Sequence, residues 1–184
     1  MNASKHVAIV SACALALALA FPALARLAPG RAALAQIPKK DYLTPAEADQ
    51  IRDAATVSER VKLFLKFAAD RLDKIDYELQ RKDHNRDWED RMWGLINAYT
   101  GCVDDAADFL ESGLEKQENL RPGTKELEKR TQEFLPRVKD LRANAALAKF
   151  QSDLDDAIEA TQDAADTARK VAKDLSAAPE RRKP

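Results

Sequence analysis

The chain has 184 residues, enough for one domain of ordinary size. Its net charge of −1 hides an asymmetry: residues 1–35 carry three basic side chains (Lys5, Arg26, Arg31) and no acid, leaving 27 basic against 31 acidic side chains in the rest. That balance argues against a general nucleic-acid binder, which needs a basic face to displace counterions from phosphates, while scarce Gly and abundant Ala, Leu, Lys and Glu favour helices.

The first segment reads as an address. Lys5 supplies a basic start, residues 7–21 form an uncharged apolar run, and Pro22 breaks it. Small-x-small sites follow at Ala23-Leu24-Ala25 and Ala33-Leu34-Ala35. This is the layout of a secretory signal peptide spanning residues 1–35, cleaved after Ala25 or Ala35, and it predicts an exported protein, periplasmic or secreted. The run falls short of the roughly 20 apolar residues that an anchor needs. Val10-Ser11-Ala12-Cys13 fits a loose lipobox, but apolar sequence continues past Cys13 where a lipoprotein should turn polar. Membrane association therefore requires that the segment be retained or lipidated.

Residues 36–43 suggest an extended lead-in. Thr44-Pro45-Ala46-Glu47 then offers a cap, a first-turn proline and a capping-box glutamate for a short helix to about Ala54. Thr56-Val57-Ser58-Glu59 restarts the pattern. Val57, Val61, Phe64, Ala68, Leu72, Ile75 and Leu79 line one helical face, with Arg71 and Lys74 placed mostly elsewhere. Asp83-His84-Asn85 reads as a turn. Trp88, Met92, Leu95, Tyr99, Val103, Ala106 and Leu110 make the next stripe. Asn119-Leu120-Arg121-Pro122-Gly123 is a breaker, and a third pattern starts at Thr124 with Leu127, Thr131, Phe134, Val138, Leu141 and Ala145. Pro136 within it should kink the helix. The phase changes near residues 144–152, with Ser152 a cap for Leu154, Ile158, Thr161, Ala165, Ala168, Ala172 and Leu175. The expected fold is all-α: an antiparallel bundle of three to four long amphipathic helices with a short leading helix, over residues 44–176. Residues 177–184 should form a disordered basic tail.

Chemistry is thin. Beyond the export segment the sole histidine is His84 and the sole cysteine Cys102. Paired Glu-x-x-His motifs, His-Glu-x-x-His, multi-Cys zinc sites, haem-attachment motifs and phosphate loops do not occur. Asp83, Asn85 and Asp87 match the first calcium-loop positions, but Trp88 replaces the glycine and Gly94 the final glutamate. The Asp104-Asp105-Asp108 and Asp153-Asp155-Asp156 groups read as solvated helix faces. The expectation is a non-enzyme with no catalytic residue, cofactor or metal. Trp88, Met92 and Trp93, with Tyr99, form the one aromatic concentration. The three are the candidate partner contacts, Trp93 first because it lies off the main stripe. Cys102 next to Val103 suggests a buried thiol, with a disulfide-linked homodimer as the sharper alternative.

Leu43-Thr44-Pro45-Ala46-Glu47 resembles the Leu-Thr-x-x-Gln element of small periplasmic helical chaperones, with Glu47 in place of the Gln. That resemblance implies binding of unfolded clients or stress sensors on a helical cradle. The wider pattern of signal peptide, Tyr-Leu-Thr-x-x-Glu and long charged helices is similar to exported helical proteins of bacteria. The functional expectation is a cell-envelope scaffold or interaction module with a protein partner or self-association. The alternative is a chaperone-like binder.

Overall fold

Two threonines start the first two helices. Thr44 Oγ1 accepts from the Glu47 N–H while Glu47 Oε2 accepts from the Thr44 N–H, and Pro45 opens helix α1, Pro45–Asp53. Thr56 and Glu59 repeat the device at helix α2, Val57–Gln80. Such reciprocal bonds satisfy two otherwise orphaned N–H groups. The computed structural model describes residues 42–81, 87–116 and 118–177. The export segment with Cys13, the Asp83-His84-Asn85 turn and the tail beyond residue 177 lie outside the described residues. Every regular element among those described is helical.

Helix α3 covers Trp88–Glu115 and helix α4 Arg121–Ala143. Helix α4 starts three residues before the Thr124 expected from the sequence, so Pro122 and Gly123 lie inside its first turn. Proline is tolerated there because that N–H has no partner within the helix in any case. Gly123 lets α4 approach α2 closely, since a Cβ there would lie 3.1 Å from Ser58 Cα. Helix α4 continues through Pro136. The phase change is real and is a chain reversal: Ala145–Phe150 form a 3-10 turn, with Leu147 outside helical geometry. The Asn144 side chain accepts from the Ala146 N–H, and helix α5, Gln151–Ala177, follows directly. Asn144 thus takes the capping part expected of Ser152, which lies within α5.

Polar pairs give the helix directions. Glu78 meets Arg91, and Val57 N–H meets Glu118, so α2 and α3 are antiparallel. Arg142 pairs with Asp155 and Arg121 reaches the Leu175 carbonyl, so α4 and α5 are antiparallel. Lys149 with Glu89 and Lys170 with Glu111 make α3 and α5 parallel neighbours. Ser58 with Gly123 and Arg137 with Asp73 and Asp76 do the same for α2 and α4.

The core follows the stripes, with two shifts. Val57, Val61, Phe64, Ala68, Leu72 and Ile75 are buried along α2, and Leu127, Thr131, Phe134, Val138 and Leu141 along α4. On α3, Ile96 is buried while Leu95 is half-exposed. On α5 the buried line is Leu154, Ala157, Thr161, Ala164, Ala168 and Val171, one residue before the expected Ile158, Ala165 and Ala172. Alanines on both faces make that register ambiguous in the sequence. Across the core, Tyr99 and Thr161 share a hydrogen bond of 2.7 Å. Thr161 spends its own proton on the Ala157 carbonyl, so Tyr99 is the donor. Burial pushes the Tyr99 hydroxyl pKa up.

Candidate functional site

The lead segment is held by polar anchors. Helix α1 buries no residue. Its hold on the bundle begins at Arg71, whose side chain is only 5% exposed. Arg71 donates through both terminal nitrogens to the Glu47 carboxylate at 2.7 Å each, to Asp70 at 2.7 Å and to the Tyr42 carbonyl at 3.2 Å. This two-pronged pairing suits a planar guanidinium. Burial on its own would raise the Glu47 pKa, but the Arg71 guanidinium and the Thr44 donors outweigh it and bring the value to about 2. The Tyr42 hydroxyl donates to Asp105 of α3. The Tyr42 ring covers Gly101, where a Cβ would lie 2.7 Å from it.

Tyr42, Thr44 and Arg71 from this cluster line part of a groove between α2 and α3. Arg71, Lys74, Tyr77 and Glu78 recur at helical spacing on α2, and Arg91, Gly94, Leu95 and Ala98 do so on α3. Tyr42 and Thr44 complete a cavity of about 640 Å³. Seven residues of rise from Arg71 to Glu78 give it a length of about 10 Å. At the far end Glu78 is held by Arg91 at 3.1 Å and Arg81 at 3.3 Å. Desolvation opposes its ionisation, yet these two arginines draw its pKa below the usual carboxylate value. Lys74 stands on the rim, 55% exposed, with its ammonium 2.7 Å from Asp70. Tyr77 is 63% exposed. Smaller clefts of about 270 and 160 Å³ lie between α4 and α5.

Gly94 has no packing reason to be glycine. Gly101 makes room for Tyr42, Gly113 for Leu120 and Val57, and Gly123 for Ser58. A Cβ on Gly94 would meet nothing within 4 Å. An interior helical glycine costs up to about 1 kcal/mol relative to alanine. Here that cost leaves bare helix backbone in the lining of the groove.

The aromatic concentration separates. Trp88 is 6% exposed, with its ring edge-on to Phe150 at 6.1 Å, and Met92 is fully buried. Trp93 is 55% exposed and is not among the groove's lining residues. Of the three candidate contacts, Trp93 alone presents a large surface. Cys102 is fully buried on α3. Among the described residues no group of three or more His, Cys, Asp or Glu is placed to hold a metal ion, and no helix is long and apolar enough to cross a membrane. Sequence reasoning missed Arg71, whose charge suggested a solvated face. Its partner Glu47 lies 24 residues away and was already accounted for by capping. The one available signal was position, since Arg71 adjoins Leu72 and lies between Ala68 and Ile75 on the edge of the apolar stripe. No protein-family model, curated protein or solved structure matches this chain.

Proposed function

We propose that this chain is an exported, non-enzymatic binding module whose working surface is the groove between α2 and α3. The observation that carries this reading is the unpacked Gly94 in the lining of a cavity of about 640 Å³, a volume within the range of small-molecule sites. Residues 5–35 support export through their order of basic start, apolar run and small-x-small sites. The non-enzymatic part rests on the sparse chemistry of the sequence. Trp93 offers a second, separate surface suited to a protein partner.

Binding of the neutral dye Nile red, read by its fluorescence, tests the groove. Wild type should bind, Gly94→Phe should lose most of the signal by filling the groove, and Trp93→Ser should retain it. A signal indifferent to Gly94→Phe would remove the groove from consideration.

A further inference from the structure

We propose that residues 42–53 are a hinged strap that opens about Ala54 and Ala55 while the four long helices stay folded, uncovering Gly101 and Cys102 of α3. This opening is independent of any ligand in the groove.

The hinge is built so that α2 does not depend on α1. Ala54 and Thr56 have extended backbones between the two helices. Each helix carries its own capping box. Glu59 accepts from the N–H groups of Ala55 and Thr56, and Glu118 accepts from that of Val57. With α1 swung away, α2 keeps these bonds at its start. Near the hinge itself, Arg60 donates to the Ala54 carbonyl at 3.3 Å.

The hold on the strap is mostly polar. Helix α1 buries no residue, and Tyr42, Leu43 and Ile51 are only partly buried at the margin of the core. Two bonds join Arg71 to Glu47, one joins Arg71 to the Tyr42 carbonyl, and one joins the Tyr42 hydroxyl to Asp105. Water can take the places of Glu47 and Tyr42 once the strap lifts, and Arg71 keeps Asp70. An element with so little buried apolar surface opens at a free energy well below that of the whole fold.

The strap covers one face of α3. Ala98, Gly101, Cys102 and Asp105 recur there at helical spacing. The Tyr42 ring lies on Gly101 and its hydroxyl reaches Asp105. Cys102 is fully buried and within electrostatic reach of the Arg71 guanidinium. Lifting Tyr42 off Gly101 gives solvent a path to that thiol. Tyr42 and Thr44 also line the groove, so the same movement opens that part of it.

The full chain carrying Cys13→Ser has Cys102 as its single thiol, and labelling by dithiobis(nitrobenzoate) reads its exposure. Glu47→Gln in that background should speed labelling at least about tenfold, with circular dichroism unchanged. Up to about 1 M urea should change the parent's rate by less than about threefold, because the strap exposes little surface, whereas global unfolding would speed it about tenfold or more. By hydrogen exchange and mass spectrometry, α1 amides should exchange at least about a hundredfold faster than those in the middle of α3. The urea and exchange measurements need no change to the strap, so they decide the matter even if Glu47→Gln fails to fold. Labelling indifferent to Glu47→Gln, labelling that climbs with urea as steeply as global unfolding, or α1 amides protected as long as those of α3 would overturn the proposal.

Discussion

Gly94 and Gly113 occupy the same helix and pose opposite problems. At Gly94 a methyl group would project into open space, and at Gly113 it would come within 2.6 Å of Leu120 Cδ2 and 3.0 Å of Val57 Cγ1. Gly94→Ala should therefore raise stability by up to about 1 kcal/mol through helix propensity. Gly113→Ala should lower it by about 1–3 kcal/mol through overpacking. Denaturant midpoints of the two variants check the pair, and equal shifts would contradict this reading of α3. Sequence alone could not separate these glycines. Both interrupt the α3 stripe in the same way, and the difference lies in Leu120, from the turn after α3, and Val57, from the start of α2.

At the scale of elements, local chemistry was legible and non-local chemistry was not. Both capping boxes stand where their Thr-x-x-Glu spacing put them, because the bonds close within four residues. The α2 stripe held because large apolar residues alternate with charges. The α5 register shifted because alanine marks both faces weakly. The placement of α1 against α2 was invisible, since the Arg71–Glu47 pair that helps to hold it joins residues 24 positions apart. That attachment should respond to acid. Glu47 has a pKa of about 2 in the folded chain against an ordinary 4.5, so its contribution is complete above about 4.5 and is lost as pH falls towards 2. Glu47→Gln should lower the wild-type melting temperature most near pH 6. The gap between the two proteins should close between pH 4.5 and 2. A gap that stays constant down to pH 2 would rule out this linkage.

Across the whole molecule, the four long helices depend on one another, because an isolated amphipathic helix is marginal in water. Leu72, Phe134 and Leu154 come from three of them and are all buried. Each replacement by alanine should cost about 2–5 kcal/mol, read from thermal or denaturant unfolding. A cost below about 1 kcal/mol at any of the three would mean that its helix is not packed as described. The polar pairs also set an orientation. Val57, Gly123 and Leu175 gather at one end of the helices, while Glu78 and Arg91 mark the other, about 30 Å away. A handle joined after α5 therefore leaves from the end remote from the mouth of the groove. Immobilised by that handle, the protein would face outward with its groove open to whatever flows past.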